Sequence, residues 1–279
     1  MNINNILKEK QTTSFEFFPP KESAQEAVLF DTIESLAKLN PDFVSITYGA
    51  GGSSGEKTFN WTKLIQDQYK FTTMMHLTCY GNDPDDIDRI CTQMQAAGID
   101  NVLALRGDPP KEGSVKSHFK YANEMVQYIH DTHGDMSIGV AGYPEKHTQA
   151  VDLKTDMDNL KRKVDAGADF IITQLFFDNE LLYRFRDSAA KLQIDIPIVA
   201  GIMPIVGYSQ VVRFTQMCGA TIPDKLLSRL EKASPEDAIK IGVEHAIYQC
   251  QDLIAQKTAG IHYYTLNRSS SVIDVLRQL

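Results

Sequence analysis

Eight short apolar runs, each followed by a segment with apolar residues at helical spacing, restrict what this chain can fold into more than any other feature. The first run, Thr12-Thr13-Ser14-Phe15-Glu16-Phe17-Phe18, stops at Pro19-Pro20. The others lie at 42–49, 74–79, 101–105, 137–142, 170–177, 197–202 and 261–266. Nearly continuous apolar strands of this kind belong to a parallel sheet covered on both faces. The spacing predicts helices at about 22–39, 57–69, 84–97, 121–132, 149–166 and 179–191, a more complex helical region at 208–258, and a last helix at the end of the chain. Asp83-Pro84 marks one helix start with a capping side chain and a first-turn proline. Eight β/α units in 279 residues point to a TIM (β/α)8 barrel, one domain over 1–279. A doubly wound sheet is the alternative, but it more often carries a phosphate fingerprint after its first strand.

In a (β/α)8 barrel the active site lies at the C-terminal ends of the strands. Those ends carry Glu16, Thr47 and Tyr48, His76 and Thr78, Arg106 and Asp108, Tyr143, Gln174, Asn267 and Arg268. Glu16 is the least at home, because an ionised carboxylate is costly among apolar and aromatic neighbours. It is either a strand-end glutamate paired with a Lys or Arg, or an acid that its surroundings hold for proton donation. Each other member also has a plain reading. Asp108 before Pro109 can initiate a turn, Asn267 or Ser269 can cap the last helix, and His76 can be a satisfied core histidine. Lys161-Arg162-Lys163 can be a solvated helix face. The convergence of the set points to a site more strongly than any member.

The glycine-rich turn at 49–55 is neither a P-loop nor a dinucleotide fingerprint. Gly55 is followed by Glu56 instead of Lys, and Ser54 stands where the fingerprint needs glycine. A net charge of −8 argues against nucleic acid as the main partner. No run approaches transmembrane length, and the first ten residues are polar, so a cytoplasmic protein without membrane attachment is expected. Cys79, Cys91, Cys218 and Cys250 form no C-x-x-C pair, so no metal site is expected and the thiols should be reduced.

Taken in order, several motifs resemble the methylenetetrahydrofolate reductase family in its short bacterial form. They are S-F-E-F-F-P-P at 14–20, V-S-I-T-Y-G-A at 44–50, H-L-T-C at 76–79, A-L-R-G-D-P-P at 104–110 and Y-P-E-x-H at 143–147. N-L-K-R-K-V-D-A-G-A at 159–168, I-T-Q-L-F-F-D at 172–178 and Y-T-L-N-R at 264–268 complete the set. The resemblance spans essentially the whole chain and implies the catalytic barrel alone, without a C-terminal regulatory domain. It implies non-covalent FAD and a ping-pong reaction. NADH or NADPH reduces the flavin, and 5,10-methylenetetrahydrofolate then takes the hydride to become 5-methyltetrahydrofolate, a step of one-carbon metabolism that feeds methionine synthesis. A homo-oligomer is expected.

Carried over by the resemblance, Glu16 is the general acid and Asp108 lies beside the flavin and the pterin. Thr47, Tyr48, Ala50, His76, Arg106, Gly107, Asp108, Tyr143, His147, Ala150, Asp156, Asn159, Arg162 and Lys163 match flavin-binding positions, with Tyr121 and Ala122 assigned to the flavin loop. Arg162 and Lys163 would then face FAD phosphate or ribose instead of solvent. Thr47, Asp108, Gln174, Phe214 and Arg268 match substrate-binding positions. Leu175 and Leu182 stand where related chains carry aromatics, a departure that bears on the substrate pocket. Rival readings are another barrel flavoenzyme that oxidises a small amine, a flavin-free aldolase or pterin-dependent methyltransferase, and a catalytically silent folate- or flavin-binding module.

Overall fold

The computed structural model describes residues 1–48, 55–108 and 118–279. Its eight strands pair in sequence order, all in parallel, and β8 closes on β1 to complete a barrel. The strands are β1 (Thr12–Phe17), β2 (Phe43–Ile46), β3 (Thr73–Thr78), β4 (Asn101–Leu105), β5 (Ser137–Gly142), β6 (Phe170–Thr173), β7 (Ile198–Ile202) and β8 (Gly260–Tyr264). The helices between them are α2 (Glu26–Ala37), α3 (Gly55–Tyr69), α4 (Pro84–Ala96), α5 (Ala122–Thr132), α6 (Leu153–Asp165) and α7 (Asn179–Lys191). The helical region after β7 resolves into α8 (Tyr208–Cys218), α9 (Asp224–Lys232) and α10 (Pro235–Ala255), and α11 (Ser270–Leu276) ends the fold.

Side chains alternate across each strand, so the pairing register sorts them into two layers. Phe15, Phe17, Val44, Ile46, Met75, Leu77, Val102, Ala104, Ile138, Val140, Ile171, Ala200, Ile202, Ile261 and Tyr263 belong to the large core between barrel and helices. Burial of each large side chain there contributes about 1.5–3 kcal/mol. Phe43, Met74, Leu103, Phe170, Ile172 and Val199 form a separate cluster in the lumen. The same alternation puts Ser14, Glu16, Ser45, His76, His262 and Tyr264 on the lumen face, since Glu16 registers with Ser45 and Tyr264, and His76 with Leu103. The lumen is therefore apolar below and polar at its mouth.

Some element boundaries differ from those the sequence suggests. The first ten residues contain a helix, α1 (Ile3–Glu9), whose Ile3 and Leu7 join the lumen cluster and close the barrel's N-terminal end. Asn101 fastens it, accepting from the Ile3 amide at 2.7 Å and donating to the Met1 carbonyl at 3.1 Å. A seven-residue helix gives too short a pattern to separate from a polar tail. α6 starts at Leu153, later than its apolar spacing suggests, because Asp152 caps it by accepting from the Thr155 amide at 2.7 Å. β6 ends at Thr173, four residues before its apolar run does; Leu175 and Phe177 pack with α8, α9 and α10 in a third cluster roofing that side. Asn267 caps nothing. Its amide takes the Phe18 amide at 2.9 Å and gives to the Phe18 carbonyl at 2.8 Å, locking the chain just beyond β1.

Candidate active site

Glu16 is 7% exposed at the mouth end of β1. Its Oε2 lies 3.6 Å from His76 Nε2 on β3 and 3.8 Å from His262 Nε2 on β8. Among the described residues no Lys or Arg forms an ion pair with it, which removes the salt-bridge reading of this residue. Burial lowers the His76 pKa to about 4, with Glu16 opposing, so His76 is neutral near pH 7. His76 Nε2 and Thr47 Oγ1 are buried without a hydrogen-bond partner. Buried polar atoms are normally paired, so two such atoms at one barrel mouth suit a polar ligand.

A second group gathers at the ends of β4 and β5 and on α6. Tyr143 and His147 pack edge to face with ring centres 4.7 Å apart. The His147 amide donates to Asp156 of α6 at 3.0 Å, and His147 Nδ1 accepts from the Gln149 amide at 3.1 Å. Arg106, just past β4, reaches the loop between β5 and α6, donating from Nη1 to Gln149 Oε1 at 2.6 Å. Burial and then Asp156 push the Tyr143 phenol up to about 12, against the pull of Arg106, and Asp108 adds to the rise. Burial lowers the His147 pKa, Asp156 opposes it, and Arg106 and Lys163 assist it. Asp108 is exposed but close enough to act on both rings. Gly107 has φ +80, and a Cβ there would lie 2.9 Å from Thr78 Cβ, so this turn admits only glycine without strain.

α6 splits the basic run by face. Lys161 pairs with Asp165 along the helix and Arg162 donates to Asn159 at 3.0 Å, while Lys163 turns inward to the Ala141 carbonyl at the end of β5. Burial lowers the Lys163 pKa to about 8, with Asp156 opposing. The solvated-face reading therefore holds for Lys161 and for Arg162, which is exposed, and fails for Lys163. Ala150 closes this loop: its amide donates to the His147 carbonyl at 2.9 Å and its carbonyl accepts from Lys146 at 2.6 Å.

The rim next to Tyr143 carries Gln174, whose amide donates to the Gly142 carbonyl at 2.7 Å and whose Oε1 accepts from the Leu175 amide at 2.9 Å; Phe214 of α8 is half-buried against the roof cluster. Arg268 is exposed beside Tyr264 and Gln210 in a small depression. Leu175 belongs to the roof cluster and Leu182 to the large outer core, so only the first is near this rim. Tyr121 precedes α5 and is half exposed, with the Lys120 ammonium 5.2 Å from its ring centre. No hydrogen bond or ion pair joins Tyr121 or Ala122 to Arg106 or Tyr143 among the described residues. Tyr48 packs at the edge of the outer core, and Ala50 lies outside the described residues.

Two residues of this mouth escape a reading of strand ends. His262 is fully buried below Glu16, and Tyr264 passes over β7 to donate to the Thr173 carbonyl at 2.6 Å. Alternation along β8, which puts 260, 262 and 264 on one face, is the sequence signal that could have marked them.

The methylenetetrahydrofolate reductase family model matches residues 2–279. A 5,10-methylenetetrahydrofolate reductase of Escherichia coli is 37% identical, over 96% of this chain and 91% of its own. A methylenetetrahydrofolate reductase (NADH) of Arabidopsis thaliana is 38% identical over 99% of this chain and 50% of its own, so the chain spans about half the length of such relatives. In fold, the chain is similar to an uncharacterised Clostridium thermocellum protein that binds two copies of 5-methyl-5,6,7,8-tetrahydrofolic acid. The TM-score is 0.69 at 13% identity, over 99% of this chain and 96% of that one.

Proposed function

The chain belongs to the methylenetetrahydrofolate reductase family, and on that premise we propose that it reduces 5,10-methylenetetrahydrofolate to 5-methyltetrahydrofolate with NADH or NADPH through bound FAD, in two half-reactions. The observation that carries this reading is Glu16: a buried carboxyl at the lumen mouth with two imidazoles within 3.8 Å. The residues present fit a flavin. Thr47 Oγ1 and His76 Nε2 are unpartnered polar atoms for its polar edge, and Arg106, Arg162 and Lys163 are cations for its phosphates. When bound, FAD supplies the hydride relay between nicotinamide and folate.

The protein's own part is proton transfer, orientation and electrostatics. Glu16 gives its proton to folate nitrogen-10, and the carbon–nitrogen electron pair leaves with that nitrogen. The methylene carbon is then held as a 5-iminium cation, which accepts hydride. Asp108, an acidic group at the rim, stabilises that cation. Gln174, Phe214 and Arg268 hold the substrate: Phe214 stacks on it, Gln174 offers an amide, and Arg268 supplies a cation for an acidic tail. The barrel over 1–279 is read as one flavin- and folate-binding catalytic domain, homo-oligomeric and cytoplasmic. Among the described residues no helix is long and apolar enough to cross a membrane.

A two-step assay tests the reading. The purified protein should show flavin absorbance, NADH should bleach it anaerobically, and methylenetetrahydrofolate should restore it. Colourless protein that cannot be loaded with FAD overturns the cofactor assignment. Bleaching without restoration by methylenetetrahydrofolate overturns the substrate.

A further inference from the structure

Beyond β6 the chain leaves the sheet at Thr173, yet Leu175, Phe176 and Phe177 stay buried. Buried carbonyls in this loop need partners that the strand ladder no longer supplies. Side chains of α10 supply them. Gln249 donates from Nε2 to the Phe176 carbonyl at 3.1 Å. His245 Nε2 lies 2.9 Å from the Phe177 carbonyl, which can only accept, so that nitrogen carries the hydrogen. Gln249 is itself buried, on a helix whose Ala246, Cys250 and Leu253 are buried too. Helix packing alone would take an apolar side chain there, because a buried amide costs stability unless it is bonded. The Gln249 amide is also braced, with Nε2 3.2 Å from Asn179 Oδ1 at the start of α7. At its other end the same loop carries Gln174. The Gln174 backbone amide donates to the Gly142 carbonyl at 2.7 Å, and the Leu175 amide donates to Gln174 Oε1 at 2.9 Å. With Oε1 engaged, the Gln174 side chain offers its NH2 group, a donor.

We propose that Gln249 is a positioning residue for Gln174: it holds the Phe176 carbonyl from α10, while His245 holds that of Phe177, and so fixes the loop that presents the Gln174 NH2 group to the folate. This rests on the reading of the chain as a folate reductase in which Gln174 touches substrate. The hold acts through three residues of backbone. Gly142 anchors the loop where it leaves β6, and α10 anchors it at Phe176 and Phe177. Between these anchors lies the Leu175 amide that orients the Gln174 side chain. A neighbouring contact serves a different purpose: Tyr183 of α7 donates to Asp252 of α10, which joins the two helices without touching the loop.

The test uses the FAD-loaded protein and stopped-flow re-oxidation by methylenetetrahydrofolate. Gln249→Met keeps the length and bulk of the side chain and removes the donor. It should raise the half-saturating folate concentration about 3- to 10-fold, the scale of one misplaced hydrogen bond. The maximal re-oxidation rate should stay within about twofold, the pattern of lost ground-state binding. Gln174→Ala should raise the half-saturating concentration at least as far, and adding Gln249→Met to it should raise it no further, because a residue that acts through Gln174 has nothing left to position. Tyr183→Phe should leave that concentration unchanged. An unchanged value in Gln249→Met, additive effects in the double variant, or an equal rise in Tyr183→Phe overturns the proposal. Should Gln249→Met not fold, His245→Phe keeps a ring and removes the donor to Phe177; the same rise and the same non-additivity with Gln174→Ala are expected, and their absence overturns the proposal equally. Wild-type protein that methylenetetrahydrofolate does not re-oxidise overturns the folate reading and this inference with it. Wild-type re-oxidation that Gln174→Ala weakens and Gln249→Met does not leaves that reading standing and removes only the role of Gln249.

Discussion

The Tyr264 hydroxyl on β8 donates to the Thr173 carbonyl on β6 at 2.6 Å, passing over β7 between them. Gly201 of β7 makes the crossing possible. A Cβ there would lie 2.2 Å from the Thr173 oxygen and 2.7 Å from the Tyr264 hydroxyl. The Gly201 amide donates to Thr173 Oγ1 at 2.9 Å, so three strands are tied at one level of the lumen.

Gly201→Ala should therefore destabilise the barrel by about 1–3 kcal/mol, the usual cost of forcing atoms into a packed interior. Tyr264→Phe removes the hydrogen bond but keeps the ring and should cost about 0.5–1.5 kcal/mol. Urea denaturation of the two variants checks the order; a Gly201→Ala protein as stable as wild type would mean that β7 shifts to accommodate the methyl.

Glu16→Gln separates the half-reactions. It keeps the size of the side chain and cannot supply a proton. Stopped-flow bleaching by NADH should run near the wild-type rate, while re-oxidation by methylenetetrahydrofolate should fall by about 10²–10⁴-fold. Equal slowing of both would make Glu16 a structural residue.

Asp108→Asn removes a negative charge from the rim that acts on Tyr143 and His147. If the flavin ring lies against that rim, its reduction potential should rise by about 30 mV, the two-electron equivalent of about 1.4 kcal/mol, with slower folate reduction. An anaerobic redox titration measures this directly, and an unchanged potential would place Asp108 away from the ring.

Lys163 gives a pH signature. Its pKa in the protein without ligand is about 8, below the ordinary lysine value of 10.5, so it loses its proton as pH rises through 8. An adjoining phosphate favours the charged form and raises that pKa again. FAD binding should take up a proton above pH 8, and affinity should fall as pH increases from about 8 toward 10. Isothermal titration across that range should show the slope in wild type and its loss in Lys163→Met. Arg162→Ala combined with Lys163→Ala should weaken FAD retention at every pH without unfolding the barrel. Unchanged affinity in the double variant would move the phosphates elsewhere.

Local pattern determined much of this protein. Eight apolar runs with helical segments between them leave few folds other than the barrel, and a barrel places Glu16, Thr47, His76, Arg106 and Tyr143 at one mouth, because strand direction and side-chain alternation are properties of each short segment alone. Tertiary structure decided the partners. Glu16 could have met an arginine; it met His262 because β8 closes against β1, bringing together residues 246 positions apart (262 − 16). Lys161 and Lys163 look alike in the chain, and only the docking of α6 onto β5 sends one to solvent and the other to the Ala141 carbonyl. Periodicity tells each strand which side chains face inward. Which of them touch depends on register and closure, and these are set by the packing of all eight units together.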